Sequence, residues 1–343
     1  MHARTNPFEC PVCAGPAKIA HHLEDGYQKG MSFDVFHCQY CGLSYTDHVG
    51  SSAKLYDLIY RYGCRVPGYD RYHRYAETVR NVQDPLKYLA DSEESYWAVA
   101  RYLHSRHRTG KKKPRVIDLG CGLGYLTYAL VQNGFDAIGL DISPEAVDSA
   151  RNRFGEFYFC ETLDSFLRRS KQPYDTILCI QMIEHIADAP SFLSGILSSL
   201  PQDGEILIAT PNKSFYPPGT VWFTDLPPVH LYWYTEAAMS ALADRLNCHI
   251  AFTDFSDFNS EHNVTISSLS PRYFKTPSPF FDKNCNLIAL LPKESLCCRL
   301  QRRSVRELHA LTHLCGLQPL GRNGIRHLGS RGRDICAVLS KSH

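Results

Sequence analysis

No run in this 343-residue sequence stays apolar long enough to cross a bilayer, and its opening residues, MHARTNPFECPVC, lack the apolar stretch of a secretory signal. A cytosolic location with no membrane partner is therefore expected. The chain also lacks a charge bias: 37 Lys and Arg stand against 35 Asp and Glu, a formal net charge of +2. Its basic residues are spread along the chain apart from Lys111, Lys112 and Lys113, so nothing demands a nucleic-acid partner. Hydrophobic residues at 44% and charged ones at 21% supply apolar mass for one sizeable core plus smaller attachments.

Cysteine is plentiful, at 14 residues. In a short secreted chain that number suggests disulfides; in a long one with no secretory signal it points to metal binding and buried thiols. Cys10 and Cys13 form one C-x-x-C and Cys38 and Cys41 another, each followed by a glycine that lets the backbone turn toward a metal, in CPVCAG and CQYCG. Four thiolates make a closed tetrahedral zinc site. The segment between the pairs has room for a hairpin, with Phe33 to His37 alternating like a strand, and residues 1–50 read as a zinc ribbon that the metal holds folded. A redox dithiol or a catalytic zinc is the weaker alternative, because four sulfurs leave no open position.

Residues 51–112 are rich in Tyr and Arg and read as a helical connector. A lid whose Tyr69, Tyr72 or Tyr75 hydroxyls meet a substrate is the sharper alternative. A helix is expected from about Glu93 to His104, and the basic stretch His107 to Pro114 marks the boundary of a core spanning 113–343.

From Arg115 a strand, glycine turn and helix pattern repeats. RVID is a strand, DLGCGLG a turn, YLTYALVQNG a helix ended by Gly134, and DAIGLD a second strand before a helix opened by Ser143 and Pro144. Further strands are expected at Glu156–Cys160, Tyr174–Ile180 and Glu205–Thr210. The fold class is thus α/β, a doubly wound parallel sheet with ligands beyond the carboxyl ends of its strands. A dinucleotide fingerprint would need a third glycine where Tyr125 stands; the spacing here is D-x-G-x-G-x-G from Asp118, with an acid, Asp141, closing the second strand.

Residues 115 to 211 resemble a class I S-adenosylmethionine-dependent methyltransferase with a seven-stranded sheet. The resemblance implies that Gly120, Gly122 and Gly124 let the backbone approach the methionine part of the cofactor, with Asp118 toward its ammonium and Asp141 on the ribose hydroxyls. It places Glu161, Thr162 and Leu163 beside the adenine and adds Cys121, Ile142 and Gln181 as further cofactor contacts. QMIEHIAD, TPN and HLYWYT extend the likeness to a bacterial group that includes ubiquinone-pathway O-methyltransferases and enzymes of polysaccharide and natural-product clusters, whose members often carry an N-terminal zinc ribbon.

Methyl transfer to a hydroxyl or an acidic carbon benefits from a base, and His230, in a Pro- and aromatic-rich loop after the fifth strand, is the first candidate. HLYWYT also resembles the HLSYF-type segment of sugar C-methyltransferases, which supports the same role; a histidine packed against Trp233 is the structural alternative. Glu184 and His185 after the fourth strand are also placed in the catalytic set. They resemble part of the metal-binding E-x-x-E-H segment of small-RNA 2′-O-methyltransferases, but Gln181 occupies its first acidic position, so a metal on Glu184, His185 and His230 lacks one anionic ligand. The sixth strand is expected at Cys248–Phe255 and its antiparallel partner only at Asp334–Ser340, leaving 256–333 as an insertion that caps the acceptor pocket or forms a homodimer surface. The leading expectation is O-methylation of a small-molecule or saccharide acceptor. C-methylation, RNA methylation and a non-catalytic binding scaffold are the alternatives.

Overall fold

The computed structural model describes residues 2–3, 6–23, 25–50, 53–63, 69–107, 113–170, 172–215, 226–262, 281–288 and 332–342. An N-terminal hairpin pairs β1 (Ala17–Leu23) with β2 (Phe33–Cys38) antiparallel, and β3 (Ser44–Thr46) adds to β2. Helices α1 (Ala53–Tyr62), α2 (Asp70–Thr78), α3 (Pro85–Ala90) and α4 (Glu94–His107) occupy the segment read as a connector.

The core then alternates β4 (Arg115–Leu119), α5 (Tyr125–Gln132), β5 (Asp136–Asp141), α6 (Pro144–Phe154), β6 (Tyr158–Cys160), α7 (Leu163–Arg169), β7 (Thr176–Ile180), α8 (Ala189–Ser199) and β8 (Glu205–Pro211). Short β9 (Tyr232–Trp233), α9 (Glu236–Arg245), β10 (Cys248–Phe252), α10 (Ser256–Glu261) and β11 (Asp334–Lys341) follow. Local chemistry accounts for the helix starts. Ser143 accepts a hydrogen bond from the Ala146 N–H ahead of Pro144, and Thr235 does the same for Ala238, satisfying donors that a first turn leaves open.

The seven-stranded sheet has the order β6-β5-β4-β7-β8-β11-β10. The first five are parallel, and β11 runs antiparallel between β8 and β10, as expected of the last two strands. The chain winds outward from β4 to β6, then returns to the other side of β4 at β7. Ligands bind beyond the carboxyl ends at such a reversal. Because side chains alternate along a strand, Ile117, Ile177 and Ile206 face one apolar layer while Val116, Leu178 and Leu207 face the other, and all six are essentially inaccessible.

The N-terminal module is not set apart from this core. β9 adds to β3 with Tyr232 opposite Tyr45 and Trp233 opposite Ser44, completing a four-stranded sheet. Cys10, Phe36, Leu43 and Tyr45 share one apolar cluster with Ile117 and Leu242. From the insertion, Phe281–Asp282 pairs with Gln28–Lys29, so part of it lies against the N-terminal module. Its Pro- and Phe-containing stretch at 270–280 and the adjacent Cys297 and Cys298 lie outside the described residues.

Candidate active site

A cavity of about 620 Å³ opens at the carboxyl edge of the sheet. Its floor is the glycine turn after β4. Gly120 and Cys121 donate backbone hydrogen bonds to the Leu140 carbonyl at 2.8 and 3.0 Å, tying the turn to the end of β5. Asp141 at that end accepts from the Gly122 N–H on one oxygen and the Ser143 N–H on the other, both at 2.9 Å. Burial raises its pKa and these backbone donors oppose the rise. Gly122 sits at φ +50°, and a Cβ there would meet the Tyr60 hydroxyl at 3.2 Å. Gly124, at φ +79°, opens α5 so close to its neighbours that a Cβ would lie 2.6 Å from Ala150 and 2.7 Å from Tyr158.

Of the residues expected at a cofactor, Gly120, Cys121, Gly122, Asp141, Ile142 and Gln181 line this cavity. Gly124 acts beneath it, in the packing of α5. Asp118 is buried under the turn, where it accepts from the Thr127 hydroxyl at 2.7 Å; burial pushes its carboxyl up to about 6, with the Thr127 bond opposing. Glu161, Thr162 and Leu163 are outside the lining. Glu161 pairs with Arg169, Thr162 caps α7 by accepting from Ser165, and Leu163 is buried in the core.

Opposite the turn, Gln181 leaves β7 at φ +53°, a left-handed conformation that costs a non-glycine residue roughly 1–2 kcal/mol. Its N–H bonds the Ala209 carbonyl at 2.7 Å. Glu184 is fully buried and accepts from the Thr210 hydroxyl at 2.9 Å. The His185 and His230 rings meet edge to face with centroids 4.5 Å apart; His185 Nδ1 is 2.7 Å from the Val229 carbonyl, and its Nε2 is 3.8 Å from Glu184. Burial, with Arg71 adding to it, holds the His230 imidazole down to about 3.

Tyr69 and Tyr72 line the cavity, whereas Tyr75 lies behind it, donating to Glu93 at 2.8 Å. Reading the sequence missed the rest of this wall: Tyr56 and Tyr60 from α1, Tyr96 and Tyr125, and a charged group made of Arg71, Glu93, Glu94, Arg333 and Asp334. Arg71 Nε is 2.7 Å from Glu93, and its guanidinium lies 4.4 Å from the centre of the Tyr72 ring. These residues lie in or beside five separate elements, α1, α2, α4, α5 and β11, and no short motif carries them.

In the N-terminal module, Cys10 Sγ and Cys41 Sγ are 3.7 Å apart and Cys13 Sγ and Cys38 Sγ 3.4 Å apart, with all four sulfurs within 4.8 Å of one another. The Cys41 hydrogen bond holds the Cys10 thiol down to about 5. Zinc bonded tetrahedrally at about 2.3 Å would separate its sulfurs by about 3.8 Å, so the donor set fits that ion. The other group of close ligand atoms among the described residues is Glu184, His185 and His230, again within 4.8 Å.

A family model described as a methyltransferase domain matches residues 88–251. The ubiquinone biosynthesis O-methyltransferase of Photorhabdus laumondii is 32% identical over 110 residues, which is 31% of this chain and 45% of that protein. The same enzyme of Xylella fastidiosa is 30% identical over 105 residues, covering 29% and 43%. The chain thus spans less than half the length of the curated relatives it matches. A crystal structure of magnesium protoporphyrin IX methyltransferase from Synechocystis PCC 6803 with bound SAM aligns with 60% of this chain and 91% of its own, at 19% identity and a TM-score of 0.37. The strand order, the glycine turn with Asp141 behind it, and the match over 88–251 together make this part of the chain a class I S-adenosylmethionine-dependent methyltransferase domain.

Proposed function

We propose that the chain transfers a methyl group from S-adenosylmethionine to a hydroxyl of a small-molecule or saccharide acceptor. One observation carries this reading: a single cavity is lined both by the glycine turn with Asp141 and by His185 with His230. The cofactor supplies an electrophilic methyl on a sulfonium. Asp141 presents a carboxylate, already fixed by two backbone donors, to the ribose hydroxyls, and the Gly120–Gly122 backbone leaves room for the amino-acid end. Alignment of donor and acceptor with exclusion of water is the main catalytic task. The tyrosine wall supplies flat apolar surface for an aromatic or sugar ring.

His230 faces the acceptor as a neutral imidazole. So weakly basic a ring stays uncharged at neutral pH and offers the acceptor a hydrogen bond without taking its proton. A second reading, a divalent cation on Glu184, His185 and His230, is favoured by the convergence of their ligand atoms within 4.8 Å and by the backbone carbonyl against His185 Nδ1. Zinc on Cys10, Cys13, Cys38 and Cys41 is structural in both readings.

Calorimetric titration with S-adenosylmethionine and S-adenosylhomocysteine, with zinc and other metals assayed on the same sample, tests all three. Micromolar binding with one zinc per chain is expected; absent binding would leave the non-catalytic scaffold. A second metal that is lost in His185→Ala would favour the cation reading.

A further inference from the structure

The polar end of the cavity holds a carboxylate with no part in the scheme above. Asp334 begins β11, and because β11 runs antiparallel, its first residue lies opposite Pro211, at the same edge where the parallel strands end. It is half-buried and lines the cavity. One oxygen, Oδ2, accepts from the Ser95 hydroxyl and, at 3.1 Å, from the Gln181 side-chain amide. Its backbone N–H donates to Glu94 Oε2 at 3.1 Å, which fixes the start of the strand. Among the described residues no hydrogen bond reaches Oδ1, and that atom is not sealed from the cavity. Gln181 keeps its strained backbone while holding this carboxylate, an arrangement typical of a position under functional constraint.

We propose that Asp334 is the group that binds the acceptor hydroxyl and takes its proton, with Ser95 and Gln181 as positioning residues. This rests on the methyl-transfer reading. As the hydroxyl oxygen forms its bond to the methyl carbon, the carbon–sulfur bond breaks with its electrons left on sulfur, and the hydroxyl proton passes to Oδ1. No further reactant is needed. Burial raises the Asp334 carboxyl to about 7, against the Ser95 hydrogen bond and with Glu94 and Glu93 adding to the rise, so the carboxylate is a far better proton acceptor than an ordinary one. The groups facing it are Glu93 and Glu94 at the start of α4, Arg71 and Tyr72 of α2, and Arg333 and Cys336 of its own segment. Six carboxylates line the cavity (Asp57, Glu93, Glu94, Asp141, Glu184 and Asp334) against the two guanidiniums of Arg71 and Arg333, so the acceptor it suits is a hydroxyl compound without an anionic group.

The test titrates the full chain, loaded with S-adenosylhomocysteine, with catechol as an uncharged hydroxyl probe at pH values on both sides of neutrality. Catechol is expected to bind tighter by about tenfold as the pH rises through about 7, since a charged carboxylate accepts a hydroxyl hydrogen bond more strongly than a neutral carboxyl does. In Asp334→Asn the rise disappears and binding on the alkaline side weakens by about the same factor, with S-adenosylhomocysteine affinity unchanged. Ser95→Ala, which removes a bond that favours the anion, moves the midpoint to higher pH and keeps the proposal testable if the first variant misfolds. The same pH curve in wild type and Asp334→Asn, an unmoved midpoint in Ser95→Ala, or no catechol binding by the loaded wild type would overturn the assignment. Failure of the wild type to bind S-adenosylhomocysteine would instead sink the methyl-transfer reading beneath it.

Discussion

The backbone of Thr46, in the N-terminal module, donates a hydrogen bond of 3.0 Å to the carbonyl of Leu231, the residue next to His230. Leu231 in turn donates to the Glu184 carbonyl at 2.9 Å. Two consecutive backbone bonds therefore connect the strand after the second cysteine pair to both acid and imidazole of the acceptor wall. The Thr235 hydroxyl, which donates to the Cys41 carbonyl at 2.6 Å, and Arg245, which donates to the Pro11 carbonyl at 2.7 Å, tie the cysteine knuckles to α9.

Removal of metal from the four cysteines is accordingly expected to damage the acceptor wall more than the cofactor floor. With a strong chelator, or in Cys38→Ser, the melting temperature should fall and methyl transfer should be lost, while any folded fraction binds S-adenosylhomocysteine with an affinity within a few fold of the intact protein. Calorimetry at a temperature below the lowered transition reads this, and equal loss of cofactor binding and transfer would refute the separation.

Asp141→Ala removes the acceptor for the Gly122 and Ser143 N–H groups together with the carboxylate proposed for the ribose hydroxyls. Cofactor affinity should drop by well over tenfold, since each charged hydrogen bond is worth about 1.5–3 kcal/mol. Zinc content should stay at the wild-type level. Wild-type affinity in this variant would remove Asp141 from the cofactor site.

His230→Ala should leave S-adenosylhomocysteine affinity within about twofold and reduce methyl transfer by on the order of tenfold or more, the effect of one lost hydrogen bond to the reacting hydroxyl. Full turnover would discard any role for this imidazole. A loss that manganese or magnesium can partly reverse would point to the cation reading.

Gly124→Ala tests the floor by stability. The left-handed backbone costs roughly 1–2 kcal/mol in a non-glycine residue, and the 2.6 Å approach to Ala150 adds overpacking of about 1–3 kcal/mol. A destabilisation of about 2–5 kcal/mol by denaturant midpoint is expected. A change below about 0.5 kcal/mol would mean that α5 shifts freely, contrary to its close packing on Tyr158.

What could be read from the sequence is what local spacing governs. Two residues between cysteines aim both thiols one way, glycines at alternate positions set the turn after β4, and apolar runs spaced by helices require a covered parallel sheet. Those features specified the fold class, the turn with Asp141 and the four-cysteine group without reference to distant residues. Strand order and register decided the rest. Ser95 and Asp334 are 239 positions apart and meet only because β11 enters antiparallel beside β8. Thr46 reaches Leu231 only because β9 adds to the N-terminal hairpin. Such convergence has no periodicity or spacing to betray it, because it depends on which edges pair once the apolar faces are buried, and burial of those faces is satisfied by the whole molecule and not by any one segment.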